Sequence, residues 1–154
     1  MSLPKRNEES EEMFHKEMRA LRIPEGIGIQ IPPPSFGWLR GEFWSYTSRK
    51  ELSVRFPVFE EELNPLGNMQ GGVIAAAFDN TFGPLSFLCA KGPAVTLDMN
   101  QQYVRGIRSG DYLYITAKLV NYSPYSMYMT AEACNSKGKP VASAGTNSLI
   151  LKRV

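Results

Sequence analysis

The sequence predicts an α+β fold in which an antiparallel sheet surrounds one buried helix, and three observations carry that prediction. Several stretches after Trp38 alternate apolar and polar residues with period two, the pattern of half-buried strands. One segment, Gly71–Ala90, is apolar on nearly every side, rich in alanine and long enough for several helical turns, so it belongs inside the domain rather than on its surface. No dinucleotide-binding or P-loop glycine fingerprint opens that helix, which leaves a parallel βαβ architecture without support.

The elements follow in order. Residues 7–23 read as a helix, with Glu8, Glu9, Glu11 and Glu12 in the first turns, where the helix dipole favours anions. Phe14, Met18 and Leu21 form a narrow apolar stripe at i, i+4 and i+7, and Pro24 stops the helix. Residues 26–37, with Pro32-Pro33-Pro34, read as an extended connector. A first strand is expected over 38–46, interrupted by Gly41, and a second where Leu52, Val54, Phe56 and Val58 alternate with smaller or polar residues. After the buried helix, in which Gly83-Pro84 predicts a kink or an end, four more strands are expected. They carry Val95, Leu97 and Met99; Leu113, Ile115, Ala117 and Leu119; Met127, Met129, Ala131 and Ala133; and the run 141–151. The chain divides into an N-terminal helix with its Pro-rich connector, 1–36, and a sheet-and-helix domain, 37–154.

Composition narrows the chemistry. A chain of 154 residues with 43% hydrophobic and 21% charged residues can bury a single core, and its net charge of +2 gives no field that would draw in nucleic acid. Two cysteines, Cys89 and Cys134, and one histidine, His15, cannot supply a four-ligand zinc site from soft ligands, and two thiols without other staples point to a reducing compartment. No metal site is expected. The N-terminus lacks the apolar stretch of a secretory signal, and the longest wholly apolar run is 73–78, so a cytoplasmic location without membrane contact is expected.

The segment with chemical potential is Asn64-Pro65-Leu66-Gly67-Asn68-Met69-Gln70-Gly71-Gly72 and the helix that it opens. Two adjacent glycines at a helix N-terminus leave backbone N–H groups uncovered, which suits a developing oxyanion or a phosphate, but equally suits a tight strand-to-helix turn. Asp79, between Phe78 and Asn80 on an otherwise apolar helix, is costly to bury unless it is partnered or lines a cleft; a solvated helix face is the alternative. Gly71 and Asp79 lie eight positions apart, about 12 Å along a straight helix. If both act on one carbonyl, they must come from two chains, with two helices antiparallel across a two-fold axis.

These residues resemble the hotdog-fold acyl-CoA thioesterases of the phenylacetate-pathway, PaaI-like type. The family pattern is an Asn, a Gly three residues later, a His-Gly-Gly at the head of the central helix, and an Asp or Glu eight residues past the first of those glycines. Asn64, Gly67, Gly71, Gly72 and Asp79 match it, and the stretches beginning at Val95 and Gly138 resemble later parts of the family's sheet. The resemblance implies the hotdog fold, a long central helix wrapped by an antiparallel sheet, here with an extra N-terminal helix. It also implies hydrolysis of an acyl-CoA to free acid and CoA by a homodimer, or by a tetramer made of two dimers. Asp79 would be general base or nucleophile, the Gly71 N–H would stabilise the oxyanion, Asn64 would orient water or thioester across the interface, and Thr96 would bond the carboxylate or the water. No cofactor is implied beyond the CoA of the substrate.

One position departs from the pattern: Gln70 stands where the family has His, and glutamine cannot carry a proton at neutral pH. That departure keeps open a second reading, a hotdog protein that binds acyl-CoA or a lipid-like ligand without turnover. Gln70 and Gly72 are expected beside the substrate, Arg105 and Arg108 against the CoA phosphates or else as solvated turn residues. Phe82, with Phe78, Phe87 and Leu88, is expected either to line an acyl pocket or to fill the core.

Overall fold

The computed structural model describes residues 2–151. Its element order is α1 (Glu8–Arg19), α2 (Pro34–Trp38), β1 (Glu42–Thr47), β2 (Glu51–Pro57), a 3-10 turn (Glu60–Glu62), α3 (Gly71–Ala90), β3 (Ala94–Tyr103), β4 (Tyr112–Tyr122), β5 (Ser126–Cys134) and β6 (Pro140–Ile150). The six strands form one sheet in the order β1-β2-β4-β5-β6-β3, antiparallel at every pairing, and α3 packs against one face of it. This is the expected helix wrapped by a sheet.

The core lies between α3 and the inward faces of the strands. Ile74, Ala77, Phe78, Phe82, Leu85 and Leu88 of α3 meet Leu52, Val54, Phe56, Leu113, Ile115 and Met129, all buried. Two hydroxyls in the buried part of α3 bond back to the helix itself, Thr81 Oγ1 to the Ala77 carbonyl and Ser86 Oγ to the Gly83 carbonyl, so neither needs a partner across the core. By length and composition α3 is apolar enough to span a bilayer, but it is the core helix of this sheet.

Three local expectations are corrected. The central helix does not end at Gly83-Pro84 but runs on to Ala90; the backbone bond lost at Pro84 is outweighed by the burial of Leu85, Leu88 and Cys89 beyond it. The first strand begins at Glu42, because residues 34–38 form a short helix with proline preset at its first position. Gly41 then passes so close to the rings of Phe36 and Phe56 that a Cβ there would stand 2.7 Å and 2.9 Å from them. The N-terminal helix stops at Arg19, short of Pro24, where the Arg22 N–H leaves the helix to bond the Lys91 carbonyl at the far end of α3.

The two sheet edges differ. At β1 the backbone is covered by the N-terminal segment: the Asn7 N–H donates to the Trp44 carbonyl, and the Tyr46 N–H donates to Ser10 Oγ. At β3 no described residue pairs with the outer side of a ten-residue strand. Val95 and Leu97, expected to be half-buried, are 43% and 58% exposed there. The strand also carries a bulge, an extra residue at Leu97 between Thr96 and Asp98.

Candidate active site

The loop before α3 is held tightly. Asn64 Oδ1 accepts from the Leu66 and Asn68 N–H groups at 2.9 and 3.2 Å, its own N–H donates to the Asn68 carbonyl, and Gly67 takes φ +77°, where only glycine is unstrained. The Met69 N–H bonds the Ile107 carbonyl and the Gln70 N–H bonds the Glu62 carbonyl. These bonds fix the N-terminus of α3. Asn64 therefore shapes the loop with its oxygen, leaving its amide nitrogen to donate elsewhere.

Gly71 and Gly72 open α3, so their N–H groups have no partner within the helix and sit at its positive end. The Tyr103 ring lies over Gly71, 3.3 Å from where a Cβ would stand, and its hydroxyl donates to the Gly71 carbonyl at 2.8 Å. The Gln70 side chain makes no cap bond; its Oε1 is 3.5 Å from the Cβ position of Gly72. Arg108 reaches the same loop, one guanidinium nitrogen 3.8 Å from the Cβ position of Gly67, while Arg105 Nε donates to the Pro140 carbonyl. Both arginines are exposed.

Two turns further along α3, Asp79 is exposed and Thr96 Oγ1 donates to its Oδ1 at 3.1 Å. Thr96 immediately precedes the β3 bulge, a device that re-aims strand side chains. Asp79 and Thr96 stand on the wall of a cavity of about 570 Å³, within the range of small-molecule sites. The cavity is lined mainly by apolar side chains, among them Phe14, Met18, Phe36, Phe43 and Phe87. Phe82 does not line it: at 1% exposure, stacked on Phe78 with ring centroids 6.3 Å apart, it is core, and so are Phe78 and Leu88. The helical period decides this, since Asp79, Gly83 and Phe87 share one face of α3 and Phe78, Phe82 and Leu85 share another.

The arrangement thus brings together Asp79 and Thr96 in one place and Asn64, Gln70, Gly71, Gly72 and Arg108 in another, at the two ends of the first half of α3. Nothing in composition or motif points to the N-terminal segment as part of the site, yet Phe14, His15 and Met18 of α1 line the same cavity as Asp79. The stripe of Phe14 and Met18 is visible in the sequence, but only as a packing face. Also missed is Asn80, whose Oδ1 accepts from Ser35 Oγ at 3.0 Å and ties α2 to α3. The thiols stand apart from this chemistry. Burial pushes the Cys89 thiol up to about 11, so it is protonated near neutral pH, and burial also raises Cys134.

Comparison with known proteins agrees with this geometry. Residues 66–142, half of the chain, match the family model of the thioesterase superfamily. Human acyl-coenzyme A thioesterase 13 is 30% identical over 88 residues, which is 55% of this chain and 62% of that protein, less than two thirds of its length. Among solved structures, the PaaI protein of the E. coli phenylacetic acid degradation operon superposes with a TM-score of 0.74 at 20% identity, covering 79% of this chain and 86% of that one. The phenylacetic acid degradation protein PaaI of Thermus thermophilus, solved as a mutant, superposes with a TM-score of 0.72 at 26% identity, over 77% of this chain and all of that one. The chain belongs to the thioesterase superfamily, with the hotdog fold of its PaaI-like members.

Proposed function

We propose that the protein hydrolyses acyl-CoA thioesters to a free acid and CoA, in active sites shared between two copies of the chain. The observation that carries this reading is the pair of Asp79 and Thr96 on the wall of an apolar cavity, with Asp79 on the same helix whose N-terminus is built from two glycines. The superfamily membership and the human acyl-coenzyme A thioesterase relative support the choice of thioester.

If Gly71 and Asp79 serve one carbonyl, distance calls for two copies. Gly71 and Asp79 of one chain are separated by about 12 Å of helix, too far for both to meet one carbonyl. The bare edge of β3, with Val95 and Leu97 exposed beside Asp79's partner Thr96, is the natural place for a second β3 to pair antiparallel and bury that apolar surface. Such pairing sets two α3 helices antiparallel, so that the N-terminus of each faces Asp79 of the other.

In this site the Gly71 N–H of one copy donates to the thioester oxygen and stabilises the oxyanion, aided by the helix dipole. Asp79 of the other copy acts in one of two ways. As a base it takes a proton from water while the water oxygen attacks the carbonyl carbon; collapse then breaks the C–S bond, and the thiolate leaves with that proton. As a nucleophile it forms a mixed anhydride and expels the thiolate, and water then cleaves the anhydride. Label in Asp79 after single-turnover hydrolysis in ¹⁸O-water identifies the anhydride route with water attacking the aspartyl carbonyl, because the general-base route never labels Asp79. Thr96 holds the carboxylate in register, the Asn64 amide nitrogen orients water or thioester, Gln70 and Gly72 border the thioester, and Arg105 and Arg108 take the CoA phosphates.

The test is release of free thiol from acyl-CoAs by the purified protein. Hydrolysis that Asp79→Ala reduces by about a thousandfold or more supports the reading. The Gln70 departure favours one alternative, binding without turnover. Thermal stabilisation by an acyl-CoA, with no thiol released beyond the Asp79→Ala background, selects it.

A further inference from the structure

Much of the cavity wall comes from residues that precede the stretch matched by the thioesterase family model. The family model covers residues 66–142, whereas Phe14, Met18, Ile29, Ile31, Phe36 and Phe43 all precede it and line the cavity. The stretch between α1 and α2, which carries Ile29 and Ile31, crosses α3 as a strap with two anchors. At one end the Arg22 N–H donates to the Lys91 carbonyl just past the end of α3; at the other Ser35 Oγ donates to Asn80 Oδ1, next to Asp79. Between these points the chain runs back along the helix, from its C-terminal end toward the carboxylate.

The cavity follows α3 along one face through Asp79, Gly83 and Phe87, eight residues and so about 12 Å of helix. An extended hydrocarbon advances about 1.25 Å per carbon, from bonds of about 1.5 Å at tetrahedral angles, so about ten carbons fill that length. The lining is chemically selective as well. It is mostly apolar and contains no lysine or arginine among the described residues; its titratable side chains are Asp79, which repels an anion, and His15. A carboxylate or phosphate at the far end of an acyl group would exchange water for a mostly apolar wall, where His15 and a few neutral donors are all that could offset its desolvation.

We infer that the N-terminal strap is the outer wall of the acyl pocket, that the pocket takes uncharged, apolar acyl groups of medium length, about eight to twelve carbons, and that Met18 and Phe14 of α1 close its far end. Those two side chains belong to the end remote from Asp79, because the C-terminal halves of α1 and α3 lie side by side, Glu17 and Leu21 sharing a surface with Leu88 and Lys91. The inference rests on the thioester-hydrolase reading for its substrate, but the pocket can be tested with or without turnover.

The experiment uses the full chain and straight-chain acyl-CoAs from acetyl to palmitoyl, with kcat/KM measured for wild type, Met18→Trp and Ile31→Trp. The same proteins are titrated with S-decyl-CoA, a thioether that cannot be hydrolysed. Ile31→Trp lies on the exposed strap and serves if Met18→Trp does not fold. The wild-type profile is expected to peak between octanoyl and dodecanoyl, and either tryptophan to lower the decanoyl-to-butyryl ratio by about tenfold or more and to weaken S-decyl-CoA binding. Hydrolysis with a flat profile, or with an optimum that neither tryptophan moves, overturns the pocket and leaves the hydrolase standing. Length-dependent binding of S-alkyl-CoAs that the tryptophans weaken, without any hydrolysis, overturns the hydrolase and leaves the pocket standing.

Discussion

At the scale of single residues, the proposed function turns on how a lone carboxylate is held at the edge of an apolar space. Asp79 has one side-chain donor among the described residues, Thr96, at 3.1 Å. A hydrogen bond to a charged group contributes about 1.5–3 kcal/mol, so Thr96→Val, which keeps the shape and removes the donor, is expected to lower kcat by about 10- to 100-fold. Thr96→Ser is expected to retain most of the rate, and KM to change less than kcat in both, because in the proposed site Thr96 acts through Asp79. An unchanged kcat in the valine variant contradicts that role. Asp79 itself is legible in the sequence because a charge on an otherwise apolar helix demands a reason. Phe82 is not, since composition alone cannot say which face of a buried helix meets a cavity and which meets the sheet.

At the scale of elements, the central helix and the loop before it work as one unit. The loop is drawn together by Asn64, whose side-chain oxygen accepts two backbone N–H groups, and it delivers Gly71 to the helix N-terminus. Asn64→Ala leaves both donors without that acceptor and is expected to cost about 1–2 kcal/mol, read as a fall of about 2–8 °C in Tm by calorimetry. A variant as stable as wild type contradicts the loop's dependence on this side chain. The strands are readable because period-two patterning survives wherever one face is buried, as at Leu113, Ile115 and Ala117. The short helix over Pro34–Trp38 is not, since the Pro32-Pro33-Pro34 run that reads as extended also presets the first helical φ. Nor is the passage of α3 through Pro84, because tertiary burial, which overrides the local penalty there, is absent from local sequence.

At the scale of the whole molecule, the proposed working unit is larger than one chain. The β1 edge is closed by Asn7 and Ser10, and the β3 edge is left bare and apolar next to Thr96. Leu97→Lys places a charge in the proposed seam and is expected to shift the protein to monomer by sedimentation, with hydrolysis lost in the same proportion. A monomer with full activity contradicts the shared site. Sequence spacing already requires two chains if Gly71 and Asp79 serve one carbonyl, but the strap over the cavity is beyond its reach, because Phe14 and Met18 come to share a cavity with Phe87 only through the path of the folded chain.

The most direct test of the shared site mixes two inactive chains. Asn64→Ala and Asp79→Ala proteins are combined under conditions where subunit exchange is demonstrated, and thiol release from an acyl-CoA is measured. In each mixed dimer one site receives an intact Asp79 from one chain and an intact Asn64 loop from the other, while the second site receives both lesions. Activity is expected to recover in about half the sites of the mixed dimers. No recovery, with exchange proven, would show that each chain builds its site alone and would contradict the shared site.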